Sequence, residues 1–248
     1  MLLRRIACVA YPPIGDAGFL PARGDAEPAM TASPPAPGRS PSLASAPALM
    51  VAAFMGAWLV CAWKPWFPQD WALENVLPLL SAWWLLRRHR RMPLSTASYA
   101  LLTVFGIAHE IGSHYTYAEV PYAAWSEALL GRSLGETIGL QRNHYDRLVH
   151  FLFGLLCHRP LREMLTPQLV ARSPASRWAP LTMIASISLS YELMEWLAAE
   201  TFGGELGQAY LGTQGDPWDS QKDSALALLG GLAAGVIDRL PKTRASRH

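Results

Sequence analysis

Six apolar segments, separated by connections whose charge alternates in sign, constrain this chain more than any other feature of its 248 residues. A helix needs roughly 20 mainly apolar residues to cross the hydrocarbon core of a bilayer. The segments run from about Pro47 to Trp63, Trp71 to Leu86, Leu94 to Ile111, Arg147 to Leu165, Trp178 to Ala199 and Ser224 to Leu240. The first is the cleanest. The second is short and carries Pro78, which predicts a kink or a slight mismatch with the bilayer. The fourth is strongly apolar only from Leu148 to Cys157 and meets Pro160. Composition agrees: 51% hydrophobic residues, 16% charged residues and ten Trp are too apolar and too charge-poor for an ordinary soluble domain. The expected fold is therefore all-α, a polytopic membrane bundle of about six transmembrane helices.

The charges orient that bundle. Arg87, Arg88, Arg90 and Arg91 lie between segments two and three, Arg159, Arg162, Arg172 and Arg177 lie around the connection from four to five, and Arg239, Lys242, Arg244 and Arg247 follow six. With alternate threading all three groups share one side, which the positive-inside rule makes the cytoplasm, with both termini there. The opposite connections are acidic, with Glu119, Glu127 and Glu136 after segment three and Glu200, Glu205, Asp216 and Asp219 after five. Trp58, Trp63, Trp66 and Trp71 resemble an interfacial aromatic belt, and Tyr115, Tyr117 and Tyr122 read the same way. No nucleic-acid footprint is present, and Cys8, Cys61 and Cys157 form neither a CxxC pair nor a zinc-finger spacing.

Three regions follow. Residues 1–46 are rich in Pro, Ala, Gly and Ser and are expected to be a disordered arm. Its opening MLLRRIACVAYPP is broken by Pro12 and Pro13 before a signal-peptide core forms, and Met30 is a candidate initiator. Residues 47–240 form the six-span domain, and residues 241–248 a basic cytoplasmic tail.

Ionisable residues gather at the outward ends of four segments: His109, Glu110 and His114 on the third, Asp146 and His150 on the fourth, Glu192 and Glu195 on the fifth, and Asp219 and Asp223 on the sixth. Glu110/His114, Asp146/His150 and Asp219/Asp223 are spaced i,i+4 and Glu192/Glu195 i,i+3, so each pair shares a helix face. The stretch LGTQGDPWDSQKDSALALLGG, Leu211 to Gly231, runs from a Gly- and Asp-rich loop into the last helix. Asp216 is the expected N-cap, with Pro217 at the first helical position and Asp219 three residues after the cap, so Asp216→Asn should be mild. Asp223 sits one turn deeper, where an unpaired carboxylate is costly and calls for a partner.

Three readings fit this constellation. Imidazoles and carboxylates converging from several helices suit a divalent metal such as Zn, Mn or Fe, and an oxygen-only subset suits Mg or Ca. Adjacent carboxylates such as Glu192 and Glu195 suit general acid/base work without metal. Alternatively the charges pair with Arg142 and Arg147 and stabilise packing only. On the functional readings Asp223, His150 and Glu195 are the candidate catalytic residues, Asp146, Arg147, Glu192 and Asp219 would bind substrate, and His114, Glu110, His150 and Asp223 are the candidate metal ligands. HEIGSH at His109 is not the zincin HExxH, because its histidines are five apart. Gly230, Gly231 and Gly235 read as helix-packing positions. The loop Gly203 to Gly215 has no P-loop ending.

The blocks HEIGSHYTYAEVP, RNHYDRLVHFLFGLL, SLSYELMEWLA and YLGTQGDPWDSQKD resemble the YjdF-like family of bacterial inner-membrane proteins, from the first segment to the last. That resemblance implies a multi-spanning inner-membrane fold and names no reaction. Asp146, Arg147, His150 and Phe151, a later helical Glu and an Asp-led final helix with glycines are similar, more weakly, to VanZ-like membrane proteins, which implies cell-envelope chemistry. The expected partners are membrane lipids and a lipid-linked or envelope substrate, met by a polar pocket on the outer face. A small transporter or ion pathway built on the same acids, and a non-catalytic scaffold, stand as alternatives.

Overall fold

The computed structural model describes residues 46–137, 139, 142–165, 174–204, 207 and 211–239. The expected disordered arm apart from Ala46, the basic tail, Arg172 and Glu205 lie outside them. The described residues are all-helical. Helix α1 spans Ala46–Cys61, α2 Pro68–Glu74, α3 Val76–His89, α4 Thr96–His114, α5 Tyr122–Leu130, α6 Leu134–Thr137 and α7 Tyr145–Leu165. A 3₁₀ turn at Pro174–Trp178 leads into α8, Ala179–Phe202, and α9 spans Asp219–Ile237.

Each apolar segment corresponds to a helix or helix pair, with differences that have physical reasons. The second segment divides at Asn75, which stays near helical geometry and keeps the bonds Asn75 N–H to Trp71 O and Leu79 N–H to Asn75 O. Pro78 has no N–H to offer the Glu74 carbonyl four residues back. His109 of α4 meets that carbonyl instead, Nε2 to O at 3.4 Å. The fourth segment runs through Pro160 to Leu165 without ending. The sixth helix begins at Asp219 with Trp218 in the N-cap position, so Asp216 is not its N-cap. Asp216 instead closes the preceding turn by accepting the Trp218 N–H.

The packing is inverted relative to a water-soluble bundle. Buried positions include Glu74, Asn75, Ser98, His109, Glu110, Ser113, His150, Ser188, Glu192, Asp219 and Asp223, whereas Leu59, Val60, Trp63, Leu80, Trp84, Leu129, Leu197 and Val236 lie on the outside. Exposed apolar surface on this scale marks contact with lipid or protein. Among the described residues no helix is both long and apolar enough to cross a membrane. α1 has only 16 residues, α4 and α8 are diluted by His, Ser and Glu, and α7 and α9 carry charges near their starts.

α7 is the central element, packed on α4, α8 and α9. It meets α9 at a glycine crossing. A Cβ on Gly154 would lie 1.8 Å from the Ala227 carbonyl oxygen, and one on Gly230 2.1 Å from that of Phe151. Gly231 turns to α8, where a Cβ would come within 2.9 Å of Ile184 Cδ1. Backbone lies against backbone here, which only glycine permits and which small-residue membrane contacts exploit. At the other end, the Ser95 N–H and hydroxyl donate to Glu163 at 2.9 and 2.7 Å, tying the start of α4 to the end of α7.

Gly154→Ala and Gly230→Ala are each expected to destabilise the bundle by about 1–3 kcal/mol, the usual cost of overpacking. Gly235→Ala, whose Cβ would meet only His158 Nε2 at 3.6 Å, should be nearly neutral. Equilibrium unfolding in detergent checks this, and equal losses in all three variants would contradict the crossing.

Candidate functional site

The glycine crossing sets the register of everything above it. Moving up one turn from Gly154 on α7 gives His150, and another gives Asp146; one turn up α9 from Ala227 lies Asp223, and another leads to Asp219. Asp146, His150 and Asp223 each offer a ligand atom, and these atoms all lie within 4.8 Å of one another. α8 adds Glu192, whose Oε1 is 3.6 Å from His150 Nε2, while Asp146 Oδ1 stands 3.5 Å from the same nitrogen. Glu195 is next to this group, its carboxyl facing the charges of Asp146, Glu192, Glu74 and Asp223. Asp223 is 2% and Glu192 7% exposed, and Asp223 Oδ1 and Glu192 Oε1 have no hydrogen-bond partner in the protein.

A second layer lies above this group, at the starts of α7 and α9. Arg147 Nη2 meets Asp216 Oδ2 at 2.5 Å and Asp219 Oδ1 at 3.0 Å, and Arg142 bridges the same two acids at 3.5 and 3.0 Å. Lys222 also reaches Asp216. Arg142 donates to the Thr213 carbonyl, and Gln214 exchanges bonds with the Asn143 backbone, so the loop before α9 is fastened to the start of α7. Asp219 and Asp223 therefore diverge despite their i,i+4 spacing: the first faces the arginines and the second the histidine. The structural pairing with Arg142 and Arg147 accounts for Asp216 and Asp219 and leaves Asp223, Glu192 and Glu195 outside it.

Glu110 and His114 stand apart from the Asp146, His150 and Asp223 group. Glu110 is fully buried with its carboxyl facing the Trp71 and Asn75 side chains, and Asn75 itself accepts from Trp58 Nε1. His114 Nδ1 lies 2.7 Å from the Cys61 carbonyl oxygen. Both residues face the α1 and α2 side, and among the described residues neither joins a set of three metal-capable side chains.

Residues absent from the sequence-based site complete the buried network. Glu74 of α2 is 3% exposed and accepts from the Tyr191 hydroxyl, and Tyr191 stands edge-on to the His150 ring with centroids 6.2 Å apart. The Tyr117 hydroxyl lies 2.7 Å from His109 Nδ1, because Thr116 and Tyr117 take left-handed backbone angles that fold the chain back over Gly112. Tyr117 is therefore an interior residue, unlike the interfacial aromatic its sequence suggests. The overlooked signal for Glu74 was an acid lying within an apolar segment, which by itself marks a candidate site.

Lys222 and the Trp218 N–H, followed by Arg147, hold the Asp216 carboxyl well below the usual carboxylate range. Burial and the guanidiniums of Arg147 and Arg142 keep His144 neutral to lower pH than a free imidazole. For Asp216 the sign follows from linkage: the folded chain stays ionised where the unfolded chain, at its ordinary value of 3.8, has bound a proton. Its contribution is complete above that value and disappears as the pH falls through the lower, folded one. The stability gap between wild type and Asp216→Asn is thus expected to be largest near neutral pH and to close on acidification, which thermal unfolding across that range measures.

Residues 46–243 match the family described as "Predicted membrane protein (DUF2238)". The chain is similar to the "Inner membrane protein YjdF" of Escherichia coli (strain K12), at 37% identity over 168 residues, which cover 67% of this chain and 76% of that protein. No solved structure matches.

Proposed function

The chain belongs to the DUF2238 family of membrane proteins and is an inner-membrane protein, and from that premise we propose that its outward-facing polar cluster binds or processes the head group of a cell-envelope lipid. In this reading α1, the α2–α3 pair, α4, α7, α8 and α9 each cross the bilayer, and both termini are cytoplasmic. The basic clusters at Arg87 to Arg91, Arg159 to Arg177 and Arg239 to Arg247 support that orientation. The inverted packing supports it too, since polar groups turned inward and apolar groups outward suit a lipid surround.

One observation carries the reading: three buried polar atoms without protein partners belong to neighbouring side chains near the starts of α7 and α9 and the facing part of α8. Asp223 Oδ1 and Glu192 Oε1 are acceptors, and Arg147 Nε is a donor. Leaving such groups unsatisfied costs about 1–3 kcal/mol each, so their retention fits a ligand that supplies both hydroxyl and anionic oxygen atoms. A phosphate-bearing lipid head group has both, and a guanidinium recognises its phosphate. Asp146, Glu192, Glu195 and Asp223 gather towards one end, and between them and the His158–Asp238 pair at the other end α7 and α9 meet at the glycine crossing, which favours the one-sided pocket over a continuous transport path.

Two measurements test the reading. A reporter fused to the carboxyl terminus is expected on the cytoplasmic side; an external signal would remove a span. Native mass spectrometry of the purified full chain should show retained phospholipid that Asp223→Asn loses and Glu119→Gln, an exposed acid on the same side, keeps. Equal retention in all three proteins would sink the assignment of the pocket.

A further inference from the structure

Asp146 and His150 from α7, Asp223 from α9 and Glu192 from α8 form a set whose chemistry and spacing go beyond ion pairing. We propose that Asp146, His150 and Asp223 bind one divalent first-row transition-metal ion, with Glu192 beside His150 as a neighbouring carboxylate. The inference rests on the reading of this cluster as a ligand pocket, but it needs only the cluster's geometry and no lipid.

The distances suit a metal better than hydrogen bonds. Ligand atoms bonded to one ion at about 2.0–2.1 Å stand about 2.8–3.0 Å apart along an octahedral edge and about 3.3–3.4 Å apart in tetrahedral geometry. His150 Nε2 is 3.5 Å from Asp146 Oδ1 and 3.6 Å from Glu192 Oε1, outside good hydrogen-bond range and within a few tenths of an ångström of a coordination edge. One imidazole nitrogen faces two carboxylates from two different helices, and a carboxylate oxygen from a third helix lies within 4.8 Å of the α7 pair. A single proton on His150 cannot serve all of these acceptors.

The unpartnered atoms supply a second, independent indication. Asp223 and Glu192 are each more than nine-tenths buried, and each keeps a carboxyl oxygen free of protein donors. Buried carboxylates persist when paired or when they coordinate a cation. The neighbouring cations Arg142, Arg147 and Lys222 form their ion pairs with Asp216 or Asp219 and none with Asp146, Glu192 or Asp223. A divalent ion would balance two of the three carboxylate charges, none of which forms an ion pair with a lysine or arginine among the described residues.

The ligand set also defines the class of metal. One imidazole with two carboxylates, and a third carboxylate beside the imidazole, favours Mn²⁺, Fe²⁺ or Zn²⁺, whereas Mg²⁺ and Ca²⁺ prefer all-oxygen surroundings. The glycine crossing provides the rigidity, holding α7 and α9 at backbone contact directly below the ligands. A metal here would face the mouth lined by Arg142 and Arg147.

The test uses the full chain in detergent, stripped with a chelator, then titrated with Zn²⁺ and with Mn²⁺ by calorimetry and metal analysis. Wild type is expected to take up one ion per chain, Zn²⁺ more tightly than Mn²⁺, and an excess of Mg²⁺ should not displace it. Asp223→Asn and His150→Gln should each weaken Zn²⁺ binding at least tenfold, and Glu119→Gln should leave it unchanged. Thermal unfolding of each stripped variant shows which remain folded, and either folded variant suffices. Absence of a stoichiometric ion in wild type, displacement by Mg²⁺, or unaltered affinity in a folded variant would each overturn the proposal. Phospholipid retention without metal would overturn this inference and spare the lipid reading; a stoichiometric metal without retained lipid would do the reverse.

Discussion

The backbone contact between α7 and α9 is the constraint on which the rest depends. Two helices that meet at Gly154, Ala227 and Gly230 lie closer than side chains ordinarily allow, and van der Waals contact replaces the hydrophobic drive that lipid cannot provide. That proximity places His150 within reach of Asp223 one turn above. A bulkier residue at the crossing would spread the helices apart and separate His150 from Asp223 before disturbing either directly. Gly231, facing Ile184 and Leu181 of α8, extends the same tight packing to the third helix of the site.

Around this contact the bundle solves a backbone accounting problem specific to apolar surroundings, where every unpaired carbonyl is expensive. Pro78 frees the Glu74 carbonyl, and His109 faces it. Tyr117 then engages the other nitrogen of His109, while Tyr191 engages the Glu74 carboxyl. A helix irregularity at one position is thus tied to the polar interior, and α2 is connected to the residues beside His150 through side chains rather than through helix packing alone.

The two layers of charge divide the work. The outer layer of Arg142, Arg147, Asp216, Asp219 and Lys222 is internally paired and fastens the loop before α9 to the start of α7. The inner layer of Asp146, His150, Glu192 and Asp223 is rich in acceptors and poor in donors. A paired rim over an unpaired interior is the arrangement expected where the rim provides structure and the interior receives a ligand.

Much of this was legible in the residues. Apolar segments located the helices, because surroundings away from water leave a mark on local composition. Costly acids at Asp146, Glu192 and Asp223 and the imidazole of His150 stood out for the same reason. Periodicity placed Glu110 and His114 on one helix face but could not say which neighbour that face would meet, and the fold turns them towards α1 and α2. Nor could spacing separate Asp219 from Asp223, because the choice between arginine and histidine is made by α7 once it is docked. The Asp216 signature suggested a cap, yet ion pairs with two arginines and a lysine engaged its carboxylate and the helix began later. By itself the sequence determined the helical membrane class and which side chains were too costly to bury alone, since both follow from local transfer energies. Which of those side chains meet was decided only by the tertiary structure, because helix crossings depend on glycines from distant segments finding one another.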